Sequence, residues 1–129
     1  MDPESQASIL VVGYDANFCY LLRSYIRRSA YPSAFTQPRD NVIEIAQREH
    51  PVLIILDVDL PEMQGWEILH ALKTEHSTCA IPVVICSWLD EQERGKLEKA
   101  DAYLRMPILF SDFLRILSIV GLSTQSKIA

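Results

Sequence analysis

The stretch Pro51-Val-Leu-Ile-Ile-Leu-Asp57-Val-Asp-Leu-Pro61-Glu-Met-Gln-Gly65 decides the fold of this chain. Five apolar residues follow Pro51 without interruption and end in the carboxylate of Asp57, after which a Pro/Gly turn begins. A short, continuous apolar run is typical of a strand buried on both faces, as in a parallel sheet. Open α/β folds place their sites at the carboxyl ends of such strands, so Asp57 is the first candidate functional residue. An isolated Asp here also fits the simpler role of ending a strand, and the rest of the chain decides between the two.

The composition limits the class of protein. The chain has 129 residues, 49% of them hydrophobic, which is enough for one domain to bury a core without disulfides or metal. Its net charge of −5 argues against a nucleic-acid partner. The three cysteines and three histidines lack metal-ligand spacing, and the odd cysteine number suggests reduced thiols. No apolar stretch approaches the roughly 18 residues that span a bilayer, and the acidic N-terminus is no signal peptide. We therefore expect a cytoplasmic protein that binds neither nucleic acid nor membranes.

Short apolar runs alternate with amphipathic segments along the chain. This alternation, joined by right-handed crossovers, predicts a doubly wound α/β domain in which five helices cover both faces of a five-stranded parallel sheet. We expect the domain to span residues 8–121, between a flexible leader at 1–7 and a flexible tail at 122–129. Pro107 is predicted to lie in the first turn of the last helix. The predicted strands are 8–13, 33–36, 52–57, 82–87 and 102–105, and the predicted helices are 17–28, 41–49, 65–74, 91–99 and 108–120.

Three segments carry a resemblance to a known family. LIILDVDLPEMQGWEIL contains Asp57, IPVVICS ends at Ser87, and DAYLRMP contains Tyr103. Together they resemble the receiver domain of two-component response regulators, from residue 8 to about residue 120. The resemblance implies the flavodoxin-like strand order 2-1-3-4-5. It also makes Asp57 the phosphoacceptor-like residue, Ser87 the switch hydroxyl and Tyr103 the switch aromatic, and it implies a cis peptide bond before Pro107.

The chain departs from the family at three of the five positions that the family site needs. In the family, two acids after the first strand and the acceptor Asp hold Mg²⁺, while a hydroxyl and a Lys bind the phosphoryl oxygens. Here Gly13 and Tyr14 stand at the acid positions, and Met106 stands at the Lys position. Mg²⁺ needs several oxygen ligands, and phosphoryl transfer depends on neutralising charge. We therefore expect no cofactor, with Mg²⁺ binding of low affinity at best.

Three further residues lie near the expected site. Asp15 and Asp59 are weak candidates for metal ligands beside Asp57, although Asp15 fits a helix N-cap better. Trp88 follows the switch hydroxyl where the family usually has a small residue, so it is a candidate for occluding Asp57; the alternative is a ring that points to solvent. Desolvation and the neighbouring acids predict a raised pKa for Asp57.

These departures favour a degenerate receiver, or pseudo-receiver. It would act through protein–protein interaction, with weak or absent Mg-dependent phosphorylation at Asp57. The alternative is a genuinely phosphorylated single-domain response regulator served by a histidine kinase. No enzyme activity is expected, because the chain has neither a phosphate-binding glycine motif nor a nucleophile elbow. The expected partners are signalling proteins, such as a histidine kinase or an output protein.

The last predicted helix is apolar over well over half of its circumference, whereas packing on a sheet needs about a third. The surplus suggests a homodimer contact through this face. The alternative is a helix end covered by its neighbour. The apolar residues are Ile108, Leu109, Phe110, Phe113, Leu114, Ile116, Leu117, Ile119 and Val120.

Overall fold

The computed structural model describes residues 7–13, 15–38, 40–59 and 64–122. Each helix and strand lies within two residues of its predicted bounds, because apolar periodicity marks the buried face of each element. The predicted leader and tail fall almost entirely outside the described residues. Residues 60–63, which make up most of the Pro/Gly turn, also lie outside them. The elements are β1 Ile9–Val12, α1 Ala16–Arg28, β2 Ser33–Thr36, α2 Val42–Glu49, β3 Leu53–Asp57, α3 Gln64–Thr74, β4 Val83–Ser87, α4 Gln92–Leu97, β5 Ala102–Arg105 and α5 Phe110–Ile119.

The strands form one parallel sheet in the order β2-β1-β3-β4-β5, which confirms the predicted topology. Strand β3 is central, and each of its residues is buried. Its side chains alternate between two apolar layers, as the pleat of a strand requires. Leu53 and Ile55 pack in the layer that contains α1 and α5, whereas Ile54 and Leu56 pack in the layer that contains α2 and α3.

The start of α5 differs from the prediction. Pro107 does not lie in its first turn, because α5 begins at Phe110. The carboxylate of Asp112 accepts a hydrogen bond of 3.0 Å from the N–H of Leu109, which fixes the start of the helix there. The preceding carbonyl of Ile108 is held by the hydroxyl of Tyr25 in α1, at 2.8 Å. The Met106–Pro107 peptide bond is cis, as the resemblance implied.

The apolar surplus of α5 is divided between two edges of the helix. Leu114 and Ile119 are 36% and 55% exposed, but five residues separate them, which places them about 140° apart around the axis. Phe110 is instead covered by the guanidinium of Arg28, 3.8 Å from the ring centroid. This cover fits the alternative of a helix end packed against its neighbour, and the exposed apolar residues of α5 do not form one continuous face.

None of the described helices combines the length and the apolar character that crossing a bilayer requires.

Candidate functional site

Asp57 ends β3 at the carboxyl edge of the sheet and is 8% exposed. One of its oxygens, Oδ1, accepts a hydrogen bond of 2.8 Å from the backbone N–H of Asp59. The side chain opens into a cavity of about 350 Å³ between the end of β3, the start of α1 and the loop before α5. The described residues that line this cavity, called the acceptor cavity below, are Asp15, Asn17, Phe18, Leu21, Asp57, Asp59, Trp88, Met106, Pro107 and Ile108.

The electrostatics of the acceptor cavity disfavour the charged form of Asp57. Burial raises the pKa of Asp57 above its ordinary value, and the N–H of Asp59 offsets part of this rise. The carboxylates of Asp59 and Asp15 raise the pKa further by repulsion. No Lys or Arg is among the described residues that line the cavity. The direction agrees with the expectation from the sequence.

Phe18 fills the space beside the first substituted acid position. A Cβ atom built on the buried Gly13 would lie 3.0 Å from both Cδ2 and Cε2 of the Phe18 ring, and 3.8 Å from the Cβ of Asp57. The second substituted position, Tyr14, lies outside the described residues. Nothing in the sequence pointed to this contact between Phe18 and Gly13.

Asp15 caps α1, which confirms the N-cap interpretation. Its Oδ2 atom accepts a hydrogen bond of 2.8 Å from the N–H of Phe18. The cap satisfies one of the free amide groups of the first helical turn. Asp15 also borders the acceptor cavity. Its negative charge raises the pKa of Asp57 by repulsion, which acts through space and needs no direct contact between the two side chains.

Asp59 has a role that the sequence did not reveal. Its Oδ1 atom accepts a hydrogen bond of 2.7 Å from the hydroxyl of Ser87, and its Oδ2 atom accepts one of 2.6 Å from the N–H of Trp88. The sequence marked Asp59 only as a weak metal candidate. A contact with a residue 28 positions away leaves no local pattern, so nothing in the sequence pointed to this pairing.

Part of the hydrogen-bonding capacity of the carboxylates is already used within the domain. Both oxygens of Asp59 accept hydrogen bonds from Ser87 and Trp88, and one oxygen of Asp15 is used by the helix cap. Within the described ranges, no group of three His, Cys, Asp or Glu residues has the geometry to hold a metal ion. Mg²⁺ needs a near-octahedral set of oxygen ligands, so it would have to share these oxygens with their hydrogen-bond donors or displace the donors.

Trp88 borders the acceptor cavity without closing it. Trp88 is among the residues that line the cavity, yet it is 61% exposed. This exposure fits the alternative of a side chain that points to solvent. The hydroxyl of Ser87, which is 3% exposed, also accepts a hydrogen bond of 2.9 Å from the N–H of Leu89.

Tyr103 packs its ring against the backbone of α4. A Cβ atom built on Gly95 would lie 2.5 Å from Cε1 of Tyr103 and 2.9 Å from Cδ1 of Ile85, so only glycine fits there. Gly95, within α4, is buried against this ring. Neither Gly95 nor its contact with Tyr103 was recognised from the sequence.

Met106 lies beside the acceptor cavity at the position of the family Lys. Its backbone N–H donates a hydrogen bond of 2.7 Å to the carbonyl of Ser87, which joins the end of β5 to the end of β4. Its thioether supplies no positive charge and no hydrogen-bond donor.

Comparison with known proteins gives the family. Residues 9–108 match the family model of the response regulator receiver domain. The chain belongs to this receiver-domain family. As a receiver domain of two-component signal transduction, it is a signalling module that acts through other proteins.

Individual relatives agree with this assignment. The chain is 28% identical over 110 residues to the polar-differentiation response regulator DivK of Brucella ovis. The aligned region covers 83% of this chain and 89% of DivK. Its fold is similar to that of the Vibrio cholerae chemotaxis protein CheY4, with a TM-score of 0.79 and 21% identity. The match covers 90% of this chain and 99% of CheY4.

A second solved structure is the receiver domain of the sensor histidine kinase PA1611 from Pseudomonas aeruginosa, which has a magnesium ion coordinated in its active site cleft. The TM-score is 0.73 at 18% identity, and the match covers 91% of this chain and 99% of that one. At such identities these two structures establish the shared fold alone.

Proposed function

We propose that this receiver domain is an atypical one, which works as a protein-interaction module with weak or absent Mg-dependent phosphorylation at Asp57. The observation that carries the proposal is the charge of the acceptor cavity. Its described lining contains Asp15, Asp57 and Asp59, but no Lys or Arg. Met106 stands where a cation would meet the phosphoryl group.

The charge balance explains why phosphorylation is disfavoured. A phosphate on a side chain adds about −1.5 to −2 charges at neutral pH. In the acceptor cavity that charge would be added beside the carboxylates of Asp15 and Asp59. These two residues are exposed, so water screens part of the repulsion. Phosphoryl transfer is accelerated mainly by positioning and by stabilising negative charge. The described cavity supplies the phosphoacceptor-like residue Asp57 without the positive groups.

The test is phosphorylation by a small donor. The chain is incubated with acetyl phosphate and MgCl₂, and intact mass is followed over time; amide NMR spectra are recorded in parallel with a beryllofluoride mimic. We expect little mass gain and small shifts around Asp57 and Ser87. Asp57→Asn is the matched control, because it removes the acceptor oxygen but keeps the shape. A mass gain of one phosphoryl group on most wild-type molecules, absent from the control, would contradict the proposal.

A genuinely phosphorylated single-domain regulator, served by a histidine kinase, is the second candidate. The retained pair of Asp57 and Ser87 favours it, since these residues end the neighbouring strands β3 and β4. The similarity to the response regulator DivK over most of both chains also favours it. The same phosphorylation experiment distinguishes the two candidates.

The proposed partners follow from the same chemistry. We infer that the partners are signalling proteins, such as a histidine kinase or an output protein, and that the module works in the cytoplasm without enzymatic activity of its own. The net charge of −5 disfavours nucleic acid.

A homodimer through the last helix remains a further proposal. Leu114 and Ile119 are its exposed apolar residues. Sedimentation of the wild type and of Ile119→Lys over a range of concentrations tests it. A dimer that the substitution weakens supports the contact, and a strict monomer at high concentration rules it out.

A further inference from the structure

Asp59 joins two loops at the carboxyl edge of the sheet. Its own N–H is bound to Oδ1 of Asp57, at 2.8 Å, so its position is fixed from β3. Its two carboxylate oxygens reach across to the loop between β4 and α4, where they accept hydrogen bonds from Ser87 and Trp88. Since the hydroxyl of Ser87 accepts from the N–H of Leu89, the connection continues toward the start of α4.

The two donors that Asp59 binds lie beside the acceptor residue. In receivers that this chain resembles, the switch hydroxyl binds a phosphoryl oxygen, and Ser87 stands at that position. Here the hydroxyl of Ser87 already donates a hydrogen bond to the carboxylate of Asp59, at 2.7 Å. A phosphoryl group on Asp57 and the carboxylate of Asp59 offer the same chemistry to this hydroxyl, namely a negatively charged oxygen acceptor.

We propose that the carboxylate of Asp59 is a built-in substitute for the phosphoryl group, and that it fixes the β4–α4 loop in one conformation without phosphorylation. This inference rests on the proposed function. It explains how the module keeps one surface conformation without phosphorylation. The surface concerned is the apolar pair Trp88 and Leu89, which are 61% and 63% exposed. The N–H of Trp88 binds Asp59, and the N–H of Leu89 binds the Ser87 hydroxyl that donates to Asp59.

Hydrogen bonds to an ionised acceptor are short and about twice as strong as neutral ones. The distances of 2.6 Å and 2.7 Å lie in that short range. The loop has further attachments through the carbonyl of Ser87, which accepts from Met106, and the carbonyl of Trp88, which accepts from Arg105 at 3.4 Å. These bonds hold carbonyl groups only, so the N–H of Trp88 and the hydroxyl of Ser87 depend on Asp59.

The experiment compares Asp59→Ala and Asp59→Asn with the wild type by amide NMR and hydrogen exchange on the full chain. In Asp59→Ala we expect the Trp88 and Leu89 signals to shift, and their amides to exchange about 10- to 100-fold faster, as the loss of charged hydrogen bonds implies. Amides of β1 and β3 should be unchanged, which shows that the fold is kept. Asp59→Asn keeps one acceptor oxygen, so its effect should be smaller.

Asp90→Asn is the matched control, because Asp90 lies in the same loop and accepts only from Gln92 among the hydrogen bonds described. It should leave the Trp88 signal in place. Unchanged shifts and exchange rates of Trp88 and Leu89 in Asp59→Ala would overturn the inference.

A second pair of variants keeps the inference testable if Asp59→Ala does not fold. Ser87→Ala should speed exchange at Leu89, whereas Ser87→Thr, which retains the hydroxyl, should restore the wild-type rate. Equal rates in Ser87→Ala and the wild type would also overturn the inference. Failure of the proposed function has a separate signature, since it appears as phosphorylation of the wild type at Asp57 and needs no change at Asp59.

Discussion

The ring of Phe18 lies against Gly13, with two ring carbons 3.0 Å from the position at which a Cβ atom would be attached. Gly13 stands at the first acid position of the family site, so the ring lies next to the missing side chain. A Cβ atom at this position would require the ring to shift by a few tenths of an ångström.

We expect Gly13→Ala to lower the free energy of unfolding by about 1–3 kcal/mol, since overpacking a buried site forces neighbours from their preferred positions. Urea unfolding measures the change. In a Phe18→Leu background the additional cost of Gly13→Ala should be smaller, because the smaller side chain leaves room. An equal cost in both backgrounds would show that the ring is not what excludes a side chain.

Met106→Lys should lower the pKa of Asp57. A positive charge in the acceptor cavity favours the charged form of the carboxylate, against the burial that now raises its pKa. The pKa is measured by NMR titration of the carboxyl carbon. Ser118→Lys, which adds the same charge on the exposed side of α5, is the control and should leave the pKa in place. A titration that is the same in all three proteins would show that Met106 does not face Asp57.

Asp57→Asn should stabilise the fold at neutral pH. Because the pKa of Asp57 is raised in the folded state, the folded protein binds the proton more tightly than the unfolded chain does. Stability is therefore lost as the pH rises from the ordinary value of 3.8 through the raised folded pKa. Asn carries no charge and avoids this loss. The Tm of Asp57→Asn should exceed that of the wild type at pH 7, and the difference should vanish below pH 3.8.

Glu67→Gln removes an exposed carboxylate from α3. It is the control for the comparison of Asp57→Asn with the wild type at different pH values. Its Tm should follow the wild-type curve across the same pH range. A wild type that gains stability relative to Asp57→Asn as the pH rises would reverse the assigned direction of the pKa shift.

Gly95→Ala should destabilise the domain by about 1–3 kcal/mol through the clash with Tyr103, even though alanine favours a helix over glycine by about 1 kcal/mol. The built Cβ atom lies 2.5 Å from that ring and 2.9 Å from Ile85. Urea unfolding gives the energy, and ring-to-methyl NOEs between Tyr103 and Ile85 report the displacement of the ring. In a Tyr103→Ala background the clash with the ring is absent, so the helix preference of alanine should dominate. The destabilisation caused by Gly95→Ala should then be smaller or become a stabilisation.

Much of the fold could be predicted from the sequence. The apolar runs of β1, β3 and β4 are short and uninterrupted, and every residue in them is buried. The bounds of α4 and the start of α5 were less accurate. Gly95 was not recognised as buried, and the bond between Asp112 and Leu109, which begins α5 three residues after Pro107, has no apolar signature.

The candidate site could be predicted in part of its membership but not in its bonding. Asp57, Asp15, Asp59, Trp88 and Met106 border one cavity, whereas Ser87 and Tyr103 line a different one. The N-cap role of Asp15 followed from residue type and place. The role of Asp59 did not, since its partners lie 28 and 29 residues away.

The sequence by itself determined the strand and helix alternation, the position of Asp57 at the sheet edge and the missing cation at Met106. These features depend on apolar periodicity and on residue type, both of which are local. Only the tertiary structure decided that Phe18 fills the space beside Gly13, that Tyr103 packs on Gly95 and that Asp59 binds Ser87. Such contacts depend on distances of a few ångströms and on the direction of each donor, which are fixed only when segments far apart in the chain pack together.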